Sequence, residues 1–72
     1  MINLKTALKL IDIAEDERIY LRRANQIFLS EYEHLTKNEI INKYDLKRTM
    51  VTEIRPLVYC REFEGLLITI KD

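Results

Sequence analysis

This chain has almost no residues that could form a disulfide or bind a structural metal, and this most limits how it can fold. Its 72 residues include one cysteine, Cys60, and one histidine, His34. A lone cysteine cannot form an intrachain disulfide, and one histidine leaves no cluster for structural zinc. A chain this short buries only about 60% of its unfolded surface, so its core alone is marginal. We therefore expect a single domain over residues 1–72 that gains stability as a homodimer.

Composition argues against catalysis. The only glycine, Gly65, leaves no Gly-rich phosphate-binding loop. The acidic residues 15–17 are adjacent in sequence, so their carboxylates point in different directions and make a poor acid–base pair. Ser30 and His34 suggest no nucleophile–base–orienter trio. We expect no enzymatic activity, no catalytic residues, no cofactor and no bound metal.

The sequence gives no sign of membrane insertion or secretion. Its longest aliphatic runs are three or four residues, far below the roughly 20 that a membrane-spanning helix requires. The first five residues lack a basic region leading into an apolar segment, so we expect no signal peptide. Together with the lone cysteine, this predicts a cytoplasmic protein.

Two helices are expected in the first half of the chain. Asn3 is a plausible N-cap for the first, whose apolar residues recur at helical spacing: Leu4, Leu8, Ile11 and Ala14. Asp16 could cap the second, whose apolar face is Tyr20, Ala24, Ile27, Phe28 and Tyr32. One long bent helix is the alternative. These faces are expected to build the core and the dimer contact.

A second helical pair follows. Residues 36–39 read Thr-Lys-Asn-Glu, a capping box that predicts a helix running to about Tyr44. Asp45 then falls where a turn is expected, since aspartate tolerates the left-handed conformation better than most residues. A further helix is predicted from Lys47 to about Arg55, because Pro56 disfavours helical geometry in the residue before it.

The C-terminal third has two interpretations. β-branched and aromatic residues dominate segments 58–62 and 66–70, which favours a β-hairpin turning around residues 63–65. The alternative is a helix that begins at Pro56 and ends at Gly65 as its C-terminal cap.

Residues 35–54 carry the pattern L-T-x-x-E-I-x-x-K-x-x-L-x-R-x-x-V-x-x-I, which resembles the helix-turn-helix family of bacterial regulators and its winged-helix branch. Ile41 stands where that family usually has a small residue, and Asp45 where it usually has glycine. The resemblance implies a mainly α fold with a small C-terminal β-hairpin: a winged helix-turn-helix with its motif over 36–55 and its wing over 58–71.

The resemblance also implies which side chains contact DNA, because the second helix of the motif enters the major groove and the first lies near the phosphates. Charge agrees with this: residues 36–61 carry a net +3 within a neutral chain. The expected DNA-binding residues are Lys37, Asn38, Lys43, Lys47, Arg48, Thr49, Thr52 and Arg55.

The expected function is therefore sequence-specific binding of duplex DNA by a dimer on repeated sites. Residues 51–60, followed by Gly65-Leu66-Leu67, are also similar to the centromere-binding proteins of tubulin-type partition systems. A small transcriptional regulator and a plasmid or phage partition adaptor are both consistent with this. The wing tip is Glu62, Phe63 and Glu64, whose acidity suits a second protein better than phosphate. The alternative function is thus a protein-interaction module without DNA binding.

Overall fold

A computed structural model describes residues 2–11, 16–60 and 63–71 of the chain, with the side chains of residues 59, 60, 63 and 64 left out of the description. Strands and helices alternate along it. The elements are β1 (Ile2–Asn3), α1 (Leu4–Leu10), β2 (Ile19–Arg23), a 3-10 turn (Leu29–Glu31), β3 (Glu33–Leu35), α2 (Lys37–Lys43), β4 (Met50–Cys60) and β5 (Phe63–Lys71).

The strands form one five-stranded sheet in the order β1-β4-β5-β2-β3. β4 and β5 pair antiparallel as a long hairpin, and β5 pairs parallel with β2, from Ile19 opposite Leu66 to Arg23 opposite Ile70. β1 and β3 pair antiparallel with β4 and β2 and form the two edges. The sheet is therefore mixed, with β4, β5 and β2 at its centre.

The core lies between one face of the sheet and the two helices. Alternate strand residues point to that face: Ile19 and Leu21 on β2, and Ile68 and Ile70 on β5, all nearly fully buried. Against them pack Val51 of β4, Leu4, Ala7 and Leu8 of α1, and Ile40 of α2.

The opposite face of the sheet carries aromatic and polar side chains. Tyr20, Leu67 and Thr69 are buried there, and the Tyr20 ring meets the His34 ring edge to face, with 4.2 Å between centroids. Gly65 lies beneath Tyr20: a Cβ atom there would sit 3.3 Å from Tyr20 Cε2 and 3.1 Å from the Arg18 carbonyl oxygen. This close approach explains the glycine, whose φ is not in the left-handed region.

The mainly α, winged helix-turn-helix fold is wrong, because the described residues form a mixed sheet with two short α-helices. The predicted helix from Lys47 to about Arg55 does not form. Residues 46–48 make a turn, and β4 begins at Met50. Its β-branched residues favour an extended backbone, and pairing with β5 provides the partner that a strand requires.

The predicted second helix after Asp16 is also wrong. Residues 19–35 form β2, the 3-10 turn and β3 instead. Ile19, Tyr20 and Leu21 are all buried, as expected for a strand covered on both faces, and a helix could bury only one side of that run. Leu4, Leu8 and Tyr20 are thus enclosed within one chain, so they are not the dimer contact that the helical interpretation expected.

Both predicted helix starts are confirmed. Asn3 Oδ1 accepts a hydrogen bond from the Thr6 N–H at 2.9 Å, and Thr36 and Glu39 form the reciprocal capping box of α2. α2 ends at Lys43 with Tyr44 as C-cap, as predicted. Ala14, in the stripe expected for the first helix, lies outside the described residues.

The turn at Asp45 forms, but not through a left-handed residue. Its carboxylate accepts hydrogen bonds from the Lys47 and Arg48 N–H groups at 3.2 and 3.4 Å, and no residue in the described ranges has a positive φ. A C-terminal hairpin forms and the helix ending at Gly65 is wrong, because β4 and β5 are paired from Met50 to Lys71. The predicted turn at residues 63–65 is also wrong, because these residues belong to β5, where Phe63 lies opposite Cys60 and Gly65 opposite Leu57. Of the acidic wing tip, Glu62 and the side chains of Phe63 and Glu64 lie outside the described residues.

Candidate nucleic-acid interface

A groove between the two helices is lined by three lysines. Its volume is about 400 Å³, and its lining residues come from α1, α2 and the turn that follows α2: Lys5, Leu8, Lys9, Lys37, Asn38, Ile41 and Leu46. The rim is basic and the floor is apolar. No carboxylate is among these lining residues, so the groove carries three positive charges.

α1 is held against the turn after α2 by its own backbone. The Leu4 N–H donates to the Thr49 carbonyl at 2.8 Å, and the Lys5 N–H donates to the Leu46 carbonyl at 3.0 Å. These bonds satisfy N–H groups that a helix start leaves without intrahelical partners. They also fix Lys5 over the groove, and Lys9, one turn later, lies on the same side of α1.

The second wall comes from α2. Its capping box fixes where the helix begins, and Ile40 is buried in the core. Lys37 and Asn38 lie in the first turn and Ile41 in the next turn, all on the side of α2 that faces the groove. Ile41 is 48% exposed: it covers the groove floor and does not pack against a neighbouring helix as the helix-turn-helix interpretation required.

Four lysines in and beside this groove have no acidic partner among the described residues, in contrast to Arg23, Lys43, Arg48 and Arg55. Glu33 binds Lys43 Nζ and lies 3.8 Å from Arg23 Nη1, Asp45 pairs with Arg48, and Glu53 pairs with Arg55. Within residues 2–11, 16–60 and 63–71, no carboxylate pairs with Lys5, Lys9, Lys37 or Lys47. These four we name the free lysines.

The predicted DNA-binding residues divide into three groups. Lys37 and Asn38 lie together in the groove. Lys43, Lys47 and Arg48 follow at the end of α2 and in the turn, where Lys43 is engaged by Glu33 and Arg48 by Asp45. Thr49 is buried, with its carbonyl bonded to α1, and Thr52 and Arg55 lie on β4. They do not form the outward face of one recognition helix.

Sequence reasoning missed Lys5 and Lys9. Both lie in residues 1–35, whose net charge is −1, and that sum conceals a basic helix face. The signal was present in their spacing, because residues four apart share one side of a helix and the apolar Leu4 and Leu8 define the other.

The polar cluster on the opposite face is structural in character. The Arg22 guanidinium lies 5.8 Å from the centre of the Tyr32 ring, and its Nη1 donates to the Tyr32 hydroxyl at 3.5 Å. Beside it, Arg22 Nε and Thr69 Oγ1 are buried without a hydrogen-bond partner among the described atoms. Tyr20 is buried as well, so its ring is not available to stack on a nucleobase.

Other classes of site find no support in the described ranges. No three His, Cys, Asp or Glu residues among them are grouped closely enough to hold a metal ion. None of the helices described is long and apolar enough to cross a membrane. Comparisons with known protein families, with curated proteins and with solved structures find no match to this chain.

Proposed function

We propose that the chain is a nucleic-acid-binding protein that holds the phosphate backbone of a DNA duplex with the lysines of the groove. The observation that supports this is the set of free lysines beside an acid-free concavity, in a chain whose net charge is zero. Phosphate contacts by lysine supply most of the affinity of non-specific DNA binding. Asn38 adds an amide that can donate to a phosphate oxygen.

We do not propose that a recognition helix reads the DNA base sequence. The residues assigned to that helix form a turn and a strand, so the positive charge acts on the backbone, which carries no sequence information directly. Binding of this kind suits coating or bridging of DNA without sequence preference, and it does not by itself account for occupancy of a promoter or of repeated sites, the roles expected of a small regulator and of a partition adaptor.

The test is fluorescence anisotropy of a labelled duplex as salt is varied. Replacing Lys5 and Lys9 together with glutamine removes two charges from the groove, while Arg18→Gln with Lys71→Gln removes two exposed charges outside it. At about 0.1 M salt each lost phosphate contact should weaken binding about tenfold and reduce the salt slope by about 0.9. The control pair should leave the slope nearly unchanged.

Two results would contradict the proposal. One is the absence of duplex binding by the unaltered chain at low salt. The other is an equal loss of affinity in the groove variant and the control, because that would mean that binding follows total charge and not this groove.

The apolar floor of the groove favours a second candidate, a protein partner with an acidic amphipathic segment. Leu8, Ile41 and Leu46 would meet its apolar side chains and the lysines its carboxylates. Ile41→Ala distinguishes the two candidates. Duplex affinity should be unaffected, because phosphates gain nothing from this side chain, whereas binding of such a segment should weaken measurably.

A further inference from the structure

We propose that two copies of the chain pair through the open edge of β4, antiparallel, about a two-fold axis at Ile54. β1 pairs only with Met50 and Val51. From Thr52 onward, no strand in the described ranges pairs with the outer edge of β4. A long edge strand left in this way presents unpaired N–H and C=O groups to any strand that can align with it.

The surface beside this edge is shaped and partly apolar. A groove of about 300 Å³ lies where β1 ends, lined by Ile2, Val51, Thr52, Glu53 and Ile54. Ile54 is 38% exposed, although it lies within the sheet. Burial of this side chain by a partner is favourable, because a chain of this size has a small hydrophobic core.

The charges of β4 select a second copy of the same strand. When two β4 strands run antiparallel with Ile54 opposite Ile54, Glu53 of each copy faces Arg55 of the other. Opposite charges directly across an antiparallel pair are stabilising and like charges are destabilising. Within one chain Arg55 Nε already lies 3.2 Å from Glu53 Oε1, so the dimer forms a square of alternating charges.

Neighbouring registers are worse. Side chains alternate between the two faces of a strand. A shifted pairing must therefore still place side chains of one face opposite side chains of the same face. One shift places Arg55 opposite Arg55, and the shift the other way places Glu53 opposite Glu53, so like charges meet in both. In the proposed register the paired segment is residues 52–56 of each copy, because Met50 and Val51 are already paired with β1. A longer shift places Pro56 opposite Pro56, where neither residue has an N–H to donate.

Proline also indicates which backbone groups point outward. A proline is accommodated in a strand when its nitrogen faces away from the neighbouring strand, and Pro56 stays paired with Leu66 of β5. Its nitrogen therefore faces the open edge. Ile54, two residues earlier, directs its N–H and C=O to the same edge. The two copies of Ile54 can then exchange a reciprocal pair of hydrogen bonds at the axis.

Charge reversal tests both the edge and the register. Glu53→Arg makes positions 53 and 55 basic in every chain, and Arg55→Glu makes them acidic. Each variant alone should dissociate to monomer in sedimentation experiments, with the dimer dissociation constant raised about tenfold or more. A mixture of the two variants should form a heterodimer, and the double exchange in one chain should restore the homodimer. Circular dichroism of each variant verifies that it folds.

A cross-linking experiment places the axis. In a Cys60→Ser background, Ile54→Cys should be joined to its counterpart by a short bis-maleimide, because residues opposite on the two-fold axis have Cβ atoms about 5 Å apart. The matched control is Ile27→Cys, which is also exposed but lies outside β4, and it should remain uncross-linked.

Two results would overturn the proposal. One is a wild-type chain that stays monomeric at every concentration tested. The other is a dimer that ignores both charge reversals and cross-links through Ile27→Cys, because that interface would be the loop at Ile27 and Phe28 and not the β4 edge.

Discussion

Glu33 holds together three parts of the structure. Its carboxylate on β3 accepts hydrogen bonds from Lys43 Nζ at the end of α2 and from the Tyr44 hydroxyl, and Arg23 of β2 lies nearby. Partial burial opposes ionisation of this group, but those hydrogen bonds and the charges of Lys43 and Arg23 outweigh it. The pKa of Glu33 is therefore lower than that of an ordinary glutamate.

Removing this charge should destabilise the protein in a pH-dependent way. A lowered pKa in the folded state stabilises the protein fully above the ordinary glutamate pKa of about 4.3, and the benefit is lost as the pH falls through the lowered value. Glu33→Gln should therefore lower the free energy of unfolding by about 1 kcal/mol at neutral pH. The difference should shrink on acidification below about pH 4.

Urea unfolding of both proteins at several pH values measures this. Tyr44→Phe is the comparison variant: it keeps the charge on Glu33 but removes one of the hydrogen bonds that lower its pKa, so it should show a smaller deficit with the same pH dependence. A Glu33→Gln deficit that stays constant from neutral to acidic pH would contradict the assignment.

At the scale of single elements, the sequence was most informative at the helix starts. The capping box of α2 joins Thr36 to Glu39 and the cap of α1 joins Asn3 to Thr6. Each contact spans three residues, so the local sequence contains every group that it needs. Both starts were predicted for that reason.

Loss of the α2 cap should therefore be measurable. Thr36→Ala removes the oxygen that accepts from the Glu39 N–H at 3.3 Å, and it should lower the free energy of unfolding by about 1 kcal/mol. Thr36→Ser, which keeps that hydroxyl, should lose much less. Equal losses in the two variants would mean that the methyl group and not the cap is responsible.

Segments 19–35 and 47–60 show where local pattern fails. Both contain apolar residues at spacings that suit a helix, yet both form strands. β2 pairs with β5, in which Leu66 lies opposite Ile19 although the two residues are distant in sequence. This pairing provides backbone and side-chain contacts between residues that are distant in sequence, so a reading of neighbouring residues cannot detect them. Tertiary contacts of this kind override the local preference of a segment for helix or strand.

For the whole molecule, the two proposals combine into a geometric expectation. A two-fold axis relating antiparallel edge strands is perpendicular to the sheet, so it joins two five-stranded sheets with their helices on the same side. Both lysine grooves then face one way, and a single duplex long enough to reach both would be held twice. Such linkage raises apparent affinity without any new contact.

Glu53→Arg tests this combination. The substitution adds positive charge, which by itself should strengthen DNA binding, but it opposes the dimer. We expect it to weaken binding to a long duplex by about tenfold or more through loss of the second contact, and to leave binding to a duplex spanning one groove unimpaired. Glu17→Arg makes the same charge change at an exposed site away from β4 and should not weaken either. Dissociation of the dimer without loss of long-duplex affinity would mean that the grooves act independently.

The sequence by itself determined the helix starts at Asn3 and Thr36, the presence of a C-terminal hairpin, and the polar pair of Lys37 and Asn38 at the start of α2. All of these depend on contacts between near neighbours or on composition. Only the tertiary structure decided that residues 19–23, 33–35 and 50–57 are in strands, that Gly65 makes room for Tyr20, and that Lys5 and Lys9 stand beside Lys37. Those outcomes depend on which distant segments pair, because a strand gains its hydrogen bonds and its buried face only from a partner elsewhere in the chain.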